Sequence, residues 1–324
     1  MDKLIDLHLH LDGAITIDIA KKLARLQNIS LPDDEKLTKL LTVDKDCKSL
    51  NDFLKCFEFP LSLLQTKKAL SRAVYLVCES LKSQGLIYAE IRFAPSLHTK
   101  KGLSQEDAVK ACLEGLEASS LKANLILCLM RGEDNDKENY ETLEICKKYL
   151  VDDAGVVALD LAGAEGLFKT EKYREIFLKA KGEGIPFTVH AGEADGAESV
   201  RLAIEYGARR IGHGVRITED ESVIRLVKEK GIFLEMCPTS NRQTHAVENM
   251  AEYPLKRFLD EGLKVTLNTD DMAIESIELS DEFEYAQKVL KISEQQTKVL
   301  LLNAVDAAFT NTKTKEELRK IIGG

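Results

Sequence analysis

The stretch SVIRLVKEKGIFLE, residues 222–235, holds two elements and the turn between them. Val223, Ile224 and Val227 share one side of a helix and the charged Arg225, Lys228 and Glu229 the other, so the first half reads as an amphipathic helix. Gly231 can end that helix, and the apolar run 232–235 then opens as a strand. The same order recurs at Gly85, Gly184, Gly207 and Gly262, and AVYLVCESLKSQG, residues 73–85, is another such amphipathic segment. Apolar runs rich in branched residues occupy 4–7, 87–93, 125–130, 156–161, 186–189, 210–211, 232–235 and 265–267. Eight strands alternating with helix-length segments predict an α/β fold with a parallel sheet, closed as a single (β/α)8 TIM barrel. No low-complexity linker or fixed-period repeat divides the chain, so 1–324 reads as one domain.

Between the first strand and the second lies far more chain than a crossover needs, which predicts an extra helical insertion. Within it Leu50, Phe53, Leu54 and Phe57 fall at i, i+3, i+4 and i+7, an apolar helical stripe. It is either a helix packed on the barrel's side or a lid over its mouth, since it follows the C-terminal end of a strand, where sites of this fold lie.

Charged residues make up 31% of the chain, and no apolar run reaches bilayer-spanning length, which excludes a membrane protein of the helical kind. The N-terminus lacks the basic and apolar regions of a signal peptide, so a cytoplasmic location is expected. A net charge of −9 repels a phosphate backbone, which argues against nucleic acid and for a small neutral substrate. The seven cysteines form no C-x-x-C pair, as suits reduced, mostly buried thiols.

Polar residues cluster at the strand ends. LIDLHLHLDG, residues 4–13, places His8 and His10 on one face of a strand, because side chains two apart point the same way. FTVHAGEA adds His190 and Glu193, RIGHGVRI adds His213, and VTLNTDDMAI adds Asp270 and Asp271. A barrel brings all these ends to one face. His8, His10, His190 and Asp270 offer three imidazoles and a carboxylate, a set suited to Zn²⁺ with a position open to water. Such an ion lowers the pKa of water from about 15.7 to about 7. His213 then reads as the base that takes or orients the water proton, and Glu193 as the acid for a ring nitrogen or leaving group. Asp271 turns away from its neighbour and suits substrate contact. His98 and His245 lie in loop-like segments and receive no role.

The set DLHLHLDG, YAEIRFAPSLH, DLAGAEG, VHAGEA, IGHG, MCPTSN and LNTDD, running in order from residue 4 to about 272, resembles the adenosine deaminases of the amidohydrolase superfamily. The resemblance implies a barrel with one zinc ion that hydrolyses adenosine to inosine, and 2′-deoxyadenosine to 2′-deoxyinosine, with release of ammonia. Carried over by position, His8, His10, His190 and Asp270 would hold zinc, Glu193 would protonate purine N1, and His213 would act on the attacking hydroxide. Asp271 would accept from N7, the Gly163 N–H would meet N3, and Asp12 would bond the ribose 5′-hydroxyl. Two departures stand out: Ala164 replaces a commonly acidic residue, leaving the shape of its loop open, and Met272 replaces a usual proline, which is expected to loosen the loop after the Asp pair. VALDLAGAEG offers no lysine to bridge a second metal, and the H-x-E and P-C-x-x-C pattern of the nucleobase-editing zinc deaminases is absent. The alternatives are an adenine deaminase and a barrel that binds purine or zinc without catalysis. No Walker loop or G-x-G-x-x-G supports an ATPase or dehydrogenase.

Overall fold

A computed structural model describes residues 2–44 and 47–323. It contains eight parallel strands: β1 (Leu4–His10), β2 (Leu86–Phe93), β3 (Ala123–Met130), β4 (Val156–Ala162), β5 (Thr188–Ala191), β6 (Arg210–His213), β7 (Phe233–Met236) and β8 (Lys264–Leu267). They form two four-stranded sheets, each in chain order, β1 to β4 and β5 to β8. Single parallel bridges join the sheets at both seams, Leu159 to Phe187 and Leu9 to Asp270. At the second seam His10 N–H donates to Asp270 O at 2.9 Å and Asp270 N–H to His8 O at 2.8 Å. This is the expected (β/α)8 architecture. Its strands are buried on both faces, which is why they read as continuous apolar runs.

The opening stretch folds as read. The helix Glu221–Lys230 ends at Gly231, whose φ of +63° lets its N–H return to the carbonyls of Lys228 and Val227. Strand ends differ by a few residues from expectation: β5 runs to Ala191 and β6 to His213, so His190 and His213 belong to strands rather than to the loops after them.

The insertion after β1 holds helices Ile17–Gln27 and Asp34–Leu41, then three short pieces. The stripe expected on one helix is divided between a helical turn, Leu50–Phe53, and a tighter turn, Leu54–Phe57, before a third piece, Glu58–Leu63. Pro60 stands in the first turn of that third piece, where a missing amide costs least, and crowds the carbonyl of Cys56, which separates the third piece from the tighter turn before it; the division between Phe53 and Leu54 has no such cause in the sequence. The stripe still shares one face, with the Phe53 and Phe57 rings edge to face at 6.1 Å, and that face lines the barrel mouth. Of the two placements the lid is the one found. At the opposite end Ile5, Leu7 and Tyr88 pack on the terminal helices through Val305 and Leu318. No helix of the described residues is long and apolar enough to cross a membrane.

Candidate active site

A cavity of about 270 Å³ opens at the C-terminal ends of the strands, roofed by Leu50, Phe53, Leu54 and Phe57 and floored by His10, His190, His213 and Asp270. Four donors converge there. His190 Nε2 lies 3.0 Å from His8 Nε2 and 3.2 Å from His10 Nε2. Asp270 Oδ1 lies 3.1 Å from His8 Nε2 and 3.3 Å from His10 Nε2. Donors bonded to one ion at about 2.0 to 2.2 Å stand about 3 Å apart around it. With the Nδ1 atoms of His8 and His190 facing carboxylates, the neutral rings turn Nε2 lone pairs toward one another, an arrangement that fits a divalent ion. His8, His190, His213 and Asp270 also present ligand atoms within 4.8 Å of one another. His213 is nevertheless the poorer ligand. Tyr253 O–H donates to Asn241 Oδ1 at 2.9 Å, which turns the Asn241 amide N–H toward His213 Nδ1 at 3.0 Å. A neutral His213 accepting there carries its proton on Nε2 and has no lone pair for a metal.

Carboxylates inside the barrel aim the imidazoles. Glu235 Oε2 sits 2.7 Å from His8 Nδ1, and Asp160 Oδ2 sits 3.0 Å from His190 Nδ1. One guanidinium holds both: Arg92 Nη1 donates to Asp160 at 2.9 Å and Nη2 to Glu235 at 2.9 Å. All three are fully buried. Such partners fix the tautomer and orientation of metal-binding histidines. Sequence reasoning missed them, because it counted 87–93, 156–161 and 232–235 only as apolar strand. A lone charge inside a run with no exposed face was the available signal.

Glu193 is buried beside these donors. Its Oε1 accepts from Thr244 O–H at 3.0 Å, and its Oε2 lies 3.6 Å from His213 Nε2. Burial, aided by the charges of Asp270 and Glu165, pushes its pKa up to about 8, so it holds a proton at neutral pH. Burial also holds His213 well below the usual histidine range, hence neutral. His213 and Asp270 both adopt left-handed backbone, φ +62° and +69°, at the ends of β6 and just beyond β8. Non-glycine residues rarely do so, and such strain concentrates where side chains must be aimed.

The remaining expected residues line the same cavity: Asp12, Gly163 and Asp271. Gly163 has φ +105°, and a Cβ there would come within 3.3 Å of Met130, so the turn that presents its N–H requires glycine. Burial, with Asp270 and Asp12 close by, raises Asp271 well above the carboxylate range, and its Oδ1 has no hydrogen-bond partner. The loop after the Asp pair is tied, contrary to expectation: Met272 is buried, and Glu275 Oε1 accepts from Asp271 N–H at 3.1 Å while Glu275 N–H returns to Asp271 O at 2.9 Å. Around Ala164 the loop is closed by its own carbonyl, which accepts from Leu167 and Phe168 at 3.1 and 3.0 Å. His98 is a buried structural residue bonded to Leu64 O at 2.8 Å, and His245 bonds Cys47 O at 2.9 Å on the surface.

Gly13 has a less visible function. A Cβ on it would fall 1.8 Å from Asp271 Oδ1. Gly13→Ala is therefore expected to displace the Asp271 carboxyl and lower kcat/KM by about 10²-fold, the cost of a misplacement near 1 Å, with an unchanged circular dichroism spectrum. Parent activity in that variant would show that the carboxyl need not stand there.

The family described as adenosine deaminase matches residues 4–323. An adenosine deaminase of Haemophilus ducreyi is 49% identical over 97% of this chain and 94% of its own length. One from Clostridium perfringens is 39% identical over 97% and 96%. Among solved structures, the adenine deaminase of Arthrobacter aurescens superposes with a TM-score of 0.89 at 26% identity, covering 100% of this chain and 98% of that one. With the barrel, the histidine and aspartate cluster and near full-length matches in agreement, the chain belongs to the adenosine deaminase family, hydrolases acting on C–N bonds.

Proposed function

We propose that this chain is a single-domain cytoplasmic enzyme that hydrolyses adenosine to inosine and 2′-deoxyadenosine to 2′-deoxyinosine, releasing ammonia, with one zinc ion held by His8, His10, His190 and Asp270. The observation that carries the proposal is the convergence of those four donors at 3.0 to 3.3 Å beside a buried, proton-holding Glu193. When bound, the ion supplies Lewis acidity that makes water a nucleophile near neutral pH.

The chain's own residues do the rest. Glu193 donates its proton to purine N1, which draws the charge that addition at C6 would put into the ring. His213, protonated at Nε2 by the Asn241 contact, orients the attacking water through an N–H donor. Asp270 Oδ2, 3.7 Å from His213 Nε2, is the neighbouring acceptor for the water's proton, which passes on to the 6-amino group as the C6–N bond breaks and ammonia leaves, while the C6 hydroxyl proton returns to Glu193. Adenine N7 has no proton to give, so the Asp271 contact runs opposite to the direction the resemblance implied: the neutral carboxyl donates to N7. The Gly163 N–H meets N3, and Asp12 accepts from the 5′-hydroxyl.

The test follows ultraviolet absorbance on mixing the protein with adenosine. The spectrum is expected to shift toward inosine, to stop shifting after exhaustive chelation, and to recover with zinc. No shift would refute the proposal, and faster turnover of adenine would assign the site to the free base instead.

Asp12 gives a second check. It is 8% exposed in the cavity wall, and a carboxylate that recognises a hydroxyl is left unpaired when that hydroxyl is missing. Asp12→Ala is expected to raise KM for adenosine about tenfold or more and to narrow its advantage over 5′-deoxyadenosine. Equal losses for both substrates would make Asp12 structural.

A further inference from the structure

The carboxylate of Glu165, two residues past Gly163 and 1% exposed, is the acceptor for five donors. Its Oε1 takes the Gly192 N–H at 2.7 Å and the Ser199 hydroxyl at 2.6 Å. Its Oε2 takes the N–H groups of Glu193, Ala194 and Asp195 at 3.0, 2.7 and 3.0 Å. Four successive amides of the turn after β5 thus point at one side chain from the loop after β4. The turn carries Glu193, and the loop carries the Gly163 N–H. Nothing else among the described residues satisfies those four amides, and a buried amide left unpaired costs about 1 to 3 kcal/mol.

The clamp is itself braced. Ser199 Oγ meets Thr170 Oγ1 at 2.7 Å, and Arg131 Nη2 donates both to Thr170 Oγ1 at 2.9 Å and to the carbonyl of His190 at 2.6 Å. The chain of contacts returns to β5 directly beneath the turn. Bidentate, charge-assisted bonds of this kind are stronger than neutral ones and fix direction as well as distance.

We propose that Glu165 is a positioning residue for the reaction: its carboxylate locks the 192–195 turn to the 163–165 loop, so that the Glu193 carboxyl and the Gly163 N–H keep one fixed separation across the purine ring. The proposal rests on Glu193 being the proton donor, as argued above. A proton donor and a ring contact on separate, untied loops would drift relative to one another, and misplacement by about 1 Å costs about 10²-fold in rate. Glu165 acts only through Glu193, so its removal should not add to the loss of Glu193.

Kinetics with adenosine and elemental analysis on Glu165→Gln, Ser199→Ala, Glu193→Gln and the Glu165→Gln/Glu193→Gln double variant test this. Glutamine fits the space but turns an amide N–H toward amides that need an acceptor. Glu165→Gln is expected to lower kcat about 10²-fold, to leave KM within about threefold, and to keep its metal. Ser199→Ala, which removes one donor and leaves the carboxylate, is expected to lower kcat by less, and carries the test if the glutamine variant does not fold. The double variant is expected to match Glu193→Gln alone. Parent kcat in Glu165→Gln, or in Ser199→Ala if only that variant folds, would overturn the proposal. So would a rate loss matched by metal loss, or a double variant whose loss is the product of the two. Parent kcat in Glu193→Gln would overturn the assignment of the proton donor instead.

Discussion

Glu193→Gln is expected to lower kcat by about 10²- to 10⁴-fold and to leave metal content unchanged. Glutamine keeps the size of the side chain and can still accept the Thr244 hydroxyl, which lies 3.0 Å from Oε1. It has no proton to give. The parent enzyme should also show the corresponding pH limb. Burial raises the folded pKa to about 8, so the acid form dominates below that value and kcat/KM falls as pH rises through it. A cation bound beside Asp270 offsets part of the negative charge that helps to raise it, which moves the limb lower and never higher. The glutamine variant should lose that limb. Parent kcat would refute the acid role, and loss of metal would place Glu193 among the ligands.

His190→Ala is expected to lose metal and activity together, since it removes the donor that stands 3.0 and 3.2 Å from two others. Elemental analysis of the parent should give about one ion per chain, because among the described residues one set of histidine and carboxylate donors converges, and the neighbouring carboxylate group Asp270, Asp271 and Glu275 shares Asp270 with it. Asp160→Asn should fall between parent and His190→Ala, weakening metal affinity about 10- to 100-fold, as losing the partner of a metal-bound imidazole does. Two ions per chain, or full activity in His190→Ala, would overturn the ligand assignment. An Asp160→Asn variant with parent affinity would show that His190 needs no orienting partner.

The barrel was legible because its grammar is local: an amphipathic helix, a glycine and an apolar strand lie within some fourteen residues at 222–235. The ligand candidates were legible for a related reason, since histidines two apart on a strand share a face whatever the fold. What sequence reasoning could not reach is set by distance along the chain. Arg92, Asp160 and Glu235 meet inside the barrel from three strands, and each alone looks like a polar interruption. The division of the stripe between Phe53 and Leu54 leaves the apolar spacing intact, so the spacing could not reveal it. The direction of the Asp271 contact depends on burial against Asp270 and Asp12, which no spacing reveals.

The seam between β8 and β1 has one further consequence. His8 and His10 exchange backbone hydrogen bonds with Asp270 across it, so three of the four candidate ligands sit on the junction of the first strand with the last. Closing that junction spans most of the polypeptide, which puts it among the costlier loops in the molecule to form. A nascent chain can assemble most of its sheet while residue 270 is still in the ribosome, but it cannot assemble the site. Catalysis then begins only when the ring is complete, and a protein truncated before its last strand would be inert however well the remainder folded.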